Sequence, residues 1–378
     1  MMTPYAVNKA LWHQDRLADL REGRHPYPTH LHLVLADLCN LDCGYCAFRA
    51  GGSISTELFA VRDGEGAVIQ HNPNRFLDAE VARRTLGDCA SMGIRAVEFT
   101  GGGEPTVHPH AASLIDYAHD LGLETALVTN GILLHKVRDA AVRGKWLRVS
   151  VDAATHEVYA VVRPSFADTA NQFDRVCAQI ALTVAARNRL GTGCVIGMGF
   201  VVQRENWREI LEAAHLAKSL GCDNIRISAA FLEGGAAYHA PHREEAIRLE
   251  EEAIALSDGT FQVVGMFKRN LNDMEIGPTD PRCSYEHFTT YLGGDGNLYR
   301  CCVTAYTSAG LIGNVIAAGG LKALWDSQGK REKFDGFDAR TCGGSCRFCD
   351  HLTAINHAID APHAPIMSAP PPEHLNFV

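Results

Sequence analysis

The sequence predicts an α/β fold, a partial (β/α)6 barrel followed by a small C-terminal cysteine-rich domain. Three observations support this fold class. Short apolar runs alternate with amphipathic helical stretches between about residues 31 and 240, a pattern typical of a parallel sheet covered by helices. Several of the helical stretches end in glycine, as helix C-caps do. Beyond residue 240 the alternation stops, and a group of cysteines begins at Cys283.

Six apolar runs are the predicted barrel strands, and six strands are too few for a closed eight-stranded barrel. Ligands of such folds collect at the C-terminal ends of the strands. Unusual residues follow several of the runs, which places the candidate site at that end of the barrel. The runs are HLVLAD (32–37), RAVEFTG (95–101), ETALVTN (124–130), LRVSVDA (147–153), CVIGMGFVV (194–202) and NIRISAA (224–230).

The chain divides into five predicted segments. We expect the N-terminal helix to pack on the body and the tail to be extended on the surface. The cysteine-rich domain should contain a hairpin, because a Gly-Gly-Asp-Gly turn separates two alternating strands. The segments are residues 1–30 (N-terminal helical extension), 31–240 (barrel core), 241–280 (connecting helix and strand), 281–360 (cysteine-rich domain) and 361–378 (tail).

The bulk composition is that of an ordinary globular protein and argues against several partners. Of the 378 residues, 46% are hydrophobic and 21% are charged, and the net charge of −9 includes no block of like charges. This balance predicts no binding to nucleic acid or to an anionic membrane. No apolar run approaches the roughly 18 residues that span a bilayer, and the N-terminus lacks the apolar core of a secretory signal. We therefore expect a cytoplasmic protein.

Three cysteines in ADLCNLDCGYCAF (residues 36–48) form an incomplete ligand set directly after the first strand. A structural zinc ion takes four ligands, whereas three thiolates can hold three irons of a [4Fe–4S] cluster and leave the fourth iron open. The sequence therefore favours a cluster at Cys39, Cys43 and Cys46. A zinc ion completed by a nearby histidine, or a chance spacing, is the alternative.

The segment CNLDCGYC resembles the signature of the radical S-adenosylmethionine (radical SAM) superfamily, and the resemblance covers roughly residues 30–230. It implies that the open iron binds SAM. One-electron cleavage of SAM then gives a 5′-deoxyadenosyl radical, which abstracts hydrogen from a C–H bond. In this interpretation the cofactor carries the difficult chemistry, and the protein orients and shields it.

The resemblance also implies roles for residues in the first two loops. Tyr45 occupies the aromatic position that lies against the adenine of SAM. Gly102 and Gly103 of GGGEP permit close backbone approach. Glu104 can accept hydrogen bonds from the methionine ammonium. A lone glycine pair could instead be an ordinary tight turn.

Further SAM contacts are implied near the third and fourth strands. Ser150 and Asp152 match the position whose polar side chains hold the ribose, and they should share a face because they are two apart on a strand. Asn130 of TNG lies close by, and Arg163 could meet the SAM carboxylate or the substrate. Alternatively, Asp152 caps a helix and Arg163 is a surface charge.

The second cysteine group resembles the C-terminal auxiliary-cluster extension called SPASM, or its shorter twitch form. GNLYRC fits the Gly-x4-Cys pattern of that extension. A full SPASM domain needs about seven cysteines, so the twitch form with one [4Fe–4S] cluster is the better match, and structural zinc is the alternative. The predicted ligands of this auxiliary cluster are Cys283, Cys301, Cys346 and Cys349.

Two further cysteines of this group lie outside the predicted ligand set. Cys302 follows Cys301 on a strand and should face the opposite side. Cys342 could be a substitute ligand, a thiol beside the cluster or a hydrogen donor. Both are candidate hydrogen donors for a redox-neutral reaction.

The twitch resemblance favours a radical SAM oxidoreductase of the dehydrogenase or epimerase type. Its expected substrate is a small hydroxylated metabolite, such as a sugar, an aminocyclitol or a nucleoside. The auxiliary cluster would accept the electron, and an external reductant such as flavodoxin or ferredoxin would supply the first one.

Two alternatives remain open at this point. The first is a maturase that cross-links or epimerises a ribosomally made peptide. Only about 30 residues precede the first strand, so we expect no fused peptide-recognition module. The second is an iron–sulfur electron-transfer protein without catalysis, which would need no SAM pocket.

Overall fold

The computed structural model describes residues 6–50, 57–166, 171–361 and 371–378. Twelve strands are formed within these ranges. They are β1 (His30–Val34), β2 (Val61–Arg62), β3 (Val68–Gln70), β4 (Ala96–Thr100), β5 (Glu124–Thr129), β6 (Trp146–Ser150), β7 (Val195–Val202), β8 (Asn224–Ala229), β9 (Gln262–Gly265), β10 (Thr289–Leu292), β11 (Asn297–Tyr299) and β12 (Leu311–Asn314).

Thirteen α-helices and seven short 3-10 helices connect the strands in the described part of the chain. The α-helices are α1 (Gln14–Arg21), α2 (Ala79–Met92), α3 (Ala111–Asp120), α4 (Arg138–Ala141), α5 (His156–Val162), α6 (Gln172–Leu190), α7 (Ile210–Ser219), α8 (Ala236–His239), α9 (Arg243–Ile254), α10 (Phe267–Ile276), α11 (Leu321–Trp325), α12 (Gln328–Asp335) and α13 (Cys349–Asp360). The 3-10 helices are Lys9–Trp12, Pro105–Val107, Leu134–Lys136, Trp207–Glu209, Ala240–His242, Ser284–His287 and Ala339–Ser345.

Ten strands form one sheet in the order β12-β11-β10-β1-β4-β5-β6-β7-β8-β9. The strands from β10 to β9 run parallel, and β11 and β12 are antiparallel to their neighbours. The six predicted barrel strands are β1 and β4–β8, so the α/β class and the partial barrel are confirmed. β9 and β10 lengthen the parallel sheet on its two sides.

The two faces of the barrel strands bury different residues. In β1, Leu31 and Leu33 belong to the main apolar core, which also contains Phe99 of β4 and Leu86 of α2. Neighbouring residues of a strand point to opposite faces, so His30 and its alternate neighbours face the interior of the barrel. The helices therefore cover an apolar outer face, and the polar residues of β1 line a cavity.

The cysteine-rich domain joins the barrel through its first strand. β10 pairs with β1 in parallel, with Leu31 opposite Thr290, and the predicted hairpin forms between β10 and β11. At the start of this domain, Arg300 donates a hydrogen bond of 2.6 Å to Glu286, and both residues are less than 5% exposed. The Arg300 guanidinium also lies 4.2 Å from the ring centroid of Phe337. A buried ion pair thus fixes the hairpin to the segment before it.

The described end of the tail is buried, so the prediction that the tail lies on the surface is wrong for its last residues. Phe377 is 6% exposed and Val378 is 8% exposed. Lys9 Nζ donates to the carbonyl oxygen of Phe377 at 2.7 Å, and Tyr285 donates to that of Val378 at 3.1 Å. The apolar residues Phe377 and Val378 line the cavity of the barrel. Residues 362–370 of the predicted tail lie outside the described part.

The N-terminal extension packs on the body, near the C-terminus. Leu17 of α1 shares an apolar cluster with Phe288, Ile355 and Val378. Residues 1–5 of the predicted extension lie outside the described residues. In the part of the chain that the structure describes, no helix combines the length and the apolar character needed to cross a bilayer.

Replacing Arg300 with alanine should lower the free energy of unfolding by about 3–5 kcal/mol, because the buried Glu286 carboxyl group would lose the partner that holds its charge. A Glu286→Gln/Arg300→Met double variant should recover part of this loss, since no charge is then left unpaired. Denaturant unfolding of the anaerobically purified protein measures both changes. Arg248→Ala, which breaks an exposed pair with Glu252, is the control and should unfold as the wild type does. An unchanged midpoint for Arg300→Ala would refute this role of the pair.

Candidate active site

The first cysteine loop follows β1 and is anchored through its backbone. Asn72 accepts a hydrogen bond of 2.9 Å from the Cys39 amide and donates one of 2.7 Å to the Cys39 carbonyl. The Cys46 amide donates to the Cys43 carbonyl at 3.1 Å. All three cysteines are half-buried and free of disulfides. The loop therefore presents three thiols at the C-terminal end of the first barrel strand.

The sulfur atoms of the cysteine groups are not placed as in a closed zinc site. Tetrahedral zinc with Zn–S bonds of about 2.3 Å would bring its sulfurs to about 3.8 Å from one another. Among the described residues, neither cysteine group brings three donor atoms within 4.8 Å of one another. Burial raises the pKa of Cys39 to about 12 and that of Cys43 to about 11, so both thiols need a metal to become thiolates near neutral pH. These donors fit a [4Fe–4S] cluster.

The GGGEP loop lies so close to the cysteine loop that its glycines are required. Gly103 donates to the Ala36 carbonyl at 3.0 Å. A Cβ on Gly103 would lie 2.2 Å from the Leu38 carbonyl oxygen, and one on Gly102 would lie 2.5 Å from the Phe59 ring. Because backbone atoms cannot yield to such contacts, any side chain at position 103 would displace the cysteine loop.

Glu104 is held by the protein through both carboxylate oxygens. Oε1 accepts from the Thr106 amide at 3.0 Å, the Thr106 hydroxyl at 2.5 Å and the Thr129 hydroxyl at 2.6 Å. Oε2 accepts from the Asn130 amide at 2.7 Å. The side chain is 2% exposed, and burial raises its pKa. Oε2, with a single partner, is the oxygen that can accept from a ligand ammonium.

Asn130 connects the end of β5 to the cysteine loop. Its Nδ2 donates to Asn40 Oδ1 at 2.7 Å and lies 4.0 Å from the Cys39 sulfur. Its Oδ1 accepts from the Ile132 amide at 3.1 Å. The structure therefore brings Asn130, Glu104 and Cys39 together, next to one another at the same edge of the barrel.

Asp152, Arg163 and Tyr45 form a second buried cluster beside the loop. Arg163 donates from Nε to Asp152 at 2.7 Å and from Nη2 to the Tyr45 hydroxyl at 2.6 Å. The Tyr45 hydroxyl donates to the same carboxylate, whose other oxygen accepts from the Val201 amide at 2.7 Å. Asp152 is fully buried, so its carboxylate is occupied by protein donors rather than turned toward a ligand.

The backbone conformation at Asp152 differs from the extended strand that the sequence predicted there. β6 ends at Ser150, and Asp152 has a φ of +59°, so the rule that residues two apart on a strand share a face does not apply. Ser150 is half-buried at the strand end. Ribose contacts of Ser150 and Asp152, and the adenine contact of Tyr45, remain predictions.

Sequence reasoning missed a buried carboxylate directly before the cysteine loop. Asp37 is fully buried, forms an ion pair with Arg75 and accepts from the Tyr306 hydroxyl. Tyr306 also accepts from the Gly294 amide at 3.0 Å. The signal in the sequence was an acidic residue at the end of an apolar strand. Its role was not predictable, because its partners lie far away in the sequence.

Four cysteines of the second group line a small separate cavity in the cysteine-rich domain. They are Cys283, Cys301, Cys342 and Cys346. Cys349 begins α13, with its sulfur 3.8 Å from the Cys346 carbonyl. Burial raises the pKa of Cys342 to about 12. Cys342 therefore lies with three of the predicted ligands, and which four thiols hold the auxiliary cluster remains a prediction.

The barrel encloses a cavity of about 680 Å³ that contacts both halves of the molecule. Phe48 and Gly101 line it beside the first cysteine loop, and Cys302 and Arg347 line it from the cysteine-rich domain. Cys301 and Cys302 thus face different cavities. The volume lies within the range of about 300–1,000 Å³ that is usual for ligand sites.

Three polar residues of the barrel interior were also missed. His30, His32 and Glu98 are all buried and line this cavity. The signal was the alternation HLHL, together with a lone glutamate in the apolar run AVEFT. Polar residues at every second position of a buried strand indicate a polar interior.

The chain is similar in sequence to enzymes with several named activities. It is 28% identical to the PqqA peptide cyclase of Gluconobacter oxydans over 206 residues, which is 53% of this chain and 49% of that protein. It is 29% identical to the GTP 3′,8-cyclase of Chlorobaculum tepidum over 161 residues, which is 41% of this chain and 43% of that protein. The chain thus spans about half the length of the curated relatives it matches.

Solved structures share the fold at low sequence identity. Streptococcus suis SuiB bound to the precursor peptide SuiA superposes with a TM-score of 0.61 at 14% identity, covering 89% of this chain and 74% of SuiB. Native anSMEcpe with bound AdoMet superposes with a TM-score of 0.55 at 15% identity, covering 88% of this chain and 97% of anSMEcpe.

The sequence model of the Radical SAM superfamily matches residues 33–234, which is more than half of the chain. The matched region contains the cysteine loop, the GGGEP loop and the Asp152 cluster described above. SAM and [4Fe–4S] clusters are therefore its cofactors, and the C-terminal cysteines fit an auxiliary cluster domain of the SPASM/twitch type. The chain belongs to the radical SAM superfamily.

Proposed function

We propose that this chain is a radical SAM maturase that modifies a ribosomally made precursor peptide, by epimerisation or by cross-linking. The observation that carries the proposal is the barrel cavity, which has the SAM-side loop on one wall and a free thiol, Cys302, on another. The named activities of relatives support the peptide, since a PqqA peptide cyclase matches over half of this chain. SuiB, which shares the fold over 89% of the chain, binds a precursor peptide.

The chain's own residues hold and shield the reacting groups. When bound, SAM and its [4Fe–4S] cluster supply a 5′-deoxyadenosyl radical that takes a hydrogen atom from a substrate C–H bond. Oε2 of Glu104 is available to accept from the SAM ammonium. The Asp152–Arg163–Tyr45 cluster stiffens the wall beside it.

Cys302 favours epimerisation within this proposal. Its thiol lines the substrate cavity and is absent from the cavity of the other C-terminal cysteines. Burial raises its pKa to about 12, so the thiol keeps its hydrogen at neutral pH. It can return a hydrogen atom to the substrate carbon, and the external reductant then restores the thiol with one electron and one proton. Cross-linking would instead remove a second hydrogen as a proton and an electron.

Arg347 supports a substrate that carries a carboxylate. Its side chain lines the cavity, with the guanidinium 4.2 Å from the ring centroid of Phe231. Among the described residues, the groups that act on its charge are Cys301, Cys302 and Cys346 and include no carboxylate. A guanidinium stacked on an aromatic ring leaves its edge free for a bidentate contact. Acidic side chains or a peptide C-terminus would match this chemistry.

A small hydroxylated metabolite is the second candidate substrate, with dehydrogenation or epimerisation as its reaction. The GTP 3′,8-cyclase relative is named for a small molecule, and the cavity volume also suits one. The requirement for an external one-electron reductant is the same for both candidates.

Incubation with SAM, a reductant and short peptides encoded beside the gene, in D2O, tests the proposal. Epimerisation through a solvent-exchangeable thiol should place one deuterium in the peptide at each converted centre, with 5′-deoxyadenosine as co-product. Cys302→Ala should still form 5′-deoxyadenosine but no epimer, because no hydrogen is returned. Mass spectrometry and chiral amino-acid analysis provide both readouts.

Cys177→Ala is the matched control, since Cys177 lies in α6 away from the cavity, and it should behave as the wild type does. Loss of two hydrogens without deuterium uptake would identify cross-linking instead. Modification of metabolites but of no peptide would reject the peptide proposal in favour of the second candidate.

The cofactor content should distinguish two clusters from a cluster plus zinc. After anaerobic reconstitution, the wild type should hold about eight irons per chain, and a Cys39/Cys43/Cys46→Ala triple variant about four. Iron and sulfide analysis measures both values. Zinc in place of the remaining four irons would overturn the auxiliary cluster, and with it the electron acceptor that cross-linking and dehydrogenation need.

A further inference from the structure

The barrel interior contains a compact group of three buried side chains that the proposed chemistry does not use. His30 and His32 lie two apart on β1, and Glu98 lies opposite His32 on β4. Their exposures are 2%, 9% and 8%. One donor atom from each lies within 4.8 Å of the other two, the only such group among the described residues. Two imidazoles and a carboxylate are a donor set that transition metals use.

His30 presents an unpartnered nitrogen. Its Nδ1 lies 3.1 Å from the main-chain oxygen of Val378. Its Nε2 is buried and has no hydrogen-bond partner in the part of the chain that the structure describes. When Nδ1 donates its hydrogen to a carbonyl, Nε2 carries a lone pair. Metal-binding histidines are usually oriented in this way by a backbone carbonyl or a carboxylate.

The separations between the other donors suit an ion. His32 Nδ1 and Glu98 Oε1 are 3.5 Å apart, longer than a strong charge-assisted hydrogen bond. Ligands of a tetrahedral ion with bonds of about 2.0–2.1 Å lie about 3.4 Å apart. The two donor atoms therefore lie at the separation that two ligands of one ion have.

The nearby cation Lys9 is engaged by the backbone. Its Nζ donates to the Phe377 carbonyl oxygen at 2.7 Å.

We propose that His30, His32 and Glu98 bind a divalent transition-metal ion, zinc or ferrous iron, inside the barrel. All three residues line the 680 Å³ cavity, so the remaining coordination positions face the space for the substrate. Sites with two histidines and one carboxylate keep such positions open. The ion would hold a carboxylate or amide oxygen of the substrate. Only this role rests on the proposed function; binding of the ion does not.

Zinc binding to the reconstituted full-length protein tests the site. The protein is incubated with zinc and desalted, and zinc, iron and sulfide are measured together with X-ray absorption at the zinc edge. The wild type should retain about one zinc per chain, with nitrogen and oxygen neighbours at about 2.0–2.1 Å and no sulfur. Glu98→Gln and His30→Gln should each lower the retained zinc at least tenfold, with iron and sulfide unchanged.

His242→Gln is the matched control, because His242 is a buried histidine that contacts another histidine, His239, outside this group. It should retain zinc as the wild type does. Sulfur neighbours at about 2.3 Å would place the zinc on cysteines and overturn the site. Failure of the wild type to retain zinc would also overturn the site. Both of these outcomes are measured on the wild type, so they do not depend on whether a variant folds. Zinc binding without peptide modification would leave the site intact and reject the proposed function.

Discussion

The backbone at the end of β1 is the constraint on which the rest of the candidate site depends. The Asp37 carboxylate is fully buried and is bonded by Arg75 and Tyr306, which are distant in the sequence. A Cβ on Gly102 or on Gly294 would lie 2.8 Å from the same oxygen, Oδ1. A buried charge is tolerated only when it is paired and hydrogen-bonded. One carboxylate therefore fixes the cysteine loop, the GGGEP loop and the cysteine-rich domain relative to one another.

Side chains alternate along β1, so that one face of the strand packs in the apolar core and the other lines the cavity. Leu31 and Leu33 pack in the apolar core under the helices, whereas His30 and His32 line the cavity. Phe377 lines the cavity beside His30, with ring centroids 5.3 Å apart, and also packs against Trp146 at 5.4 Å. The same strand thus supports the core on one face and a polar interior on the other, and the last residues of the chain complete that interior.

Local patterns were enough to predict the six barrel strands, the hairpin and the first cysteine loop, because their signals lie in adjacent residues, but they missed β2, β3 and β12. Local patterns failed where the conformation of a segment depends on contacts with residues that are distant in the sequence. The turn at Asp152 is stabilised by Val201 and Arg163, which no local pattern reveals. The buried tail depends on contacts with Lys9 and Tyr285. Likewise, the position of Cys342 beside other cysteines follows from the fold of its domain rather than from its spacing.

Two pairs of adjacent residues in the cysteine-rich domain lie between the two cavities of the molecule. Cys301 lines the small cysteine cavity and Cys302 the barrel cavity; Cys346 and Arg347 repeat this division. At both places a single peptide bond separates a predicted cluster ligand from a residue that lines the barrel cavity. Tyr285, Val303 and Phe348 line both cavities, so the wall between the two spaces is built from side chains that contact each of them.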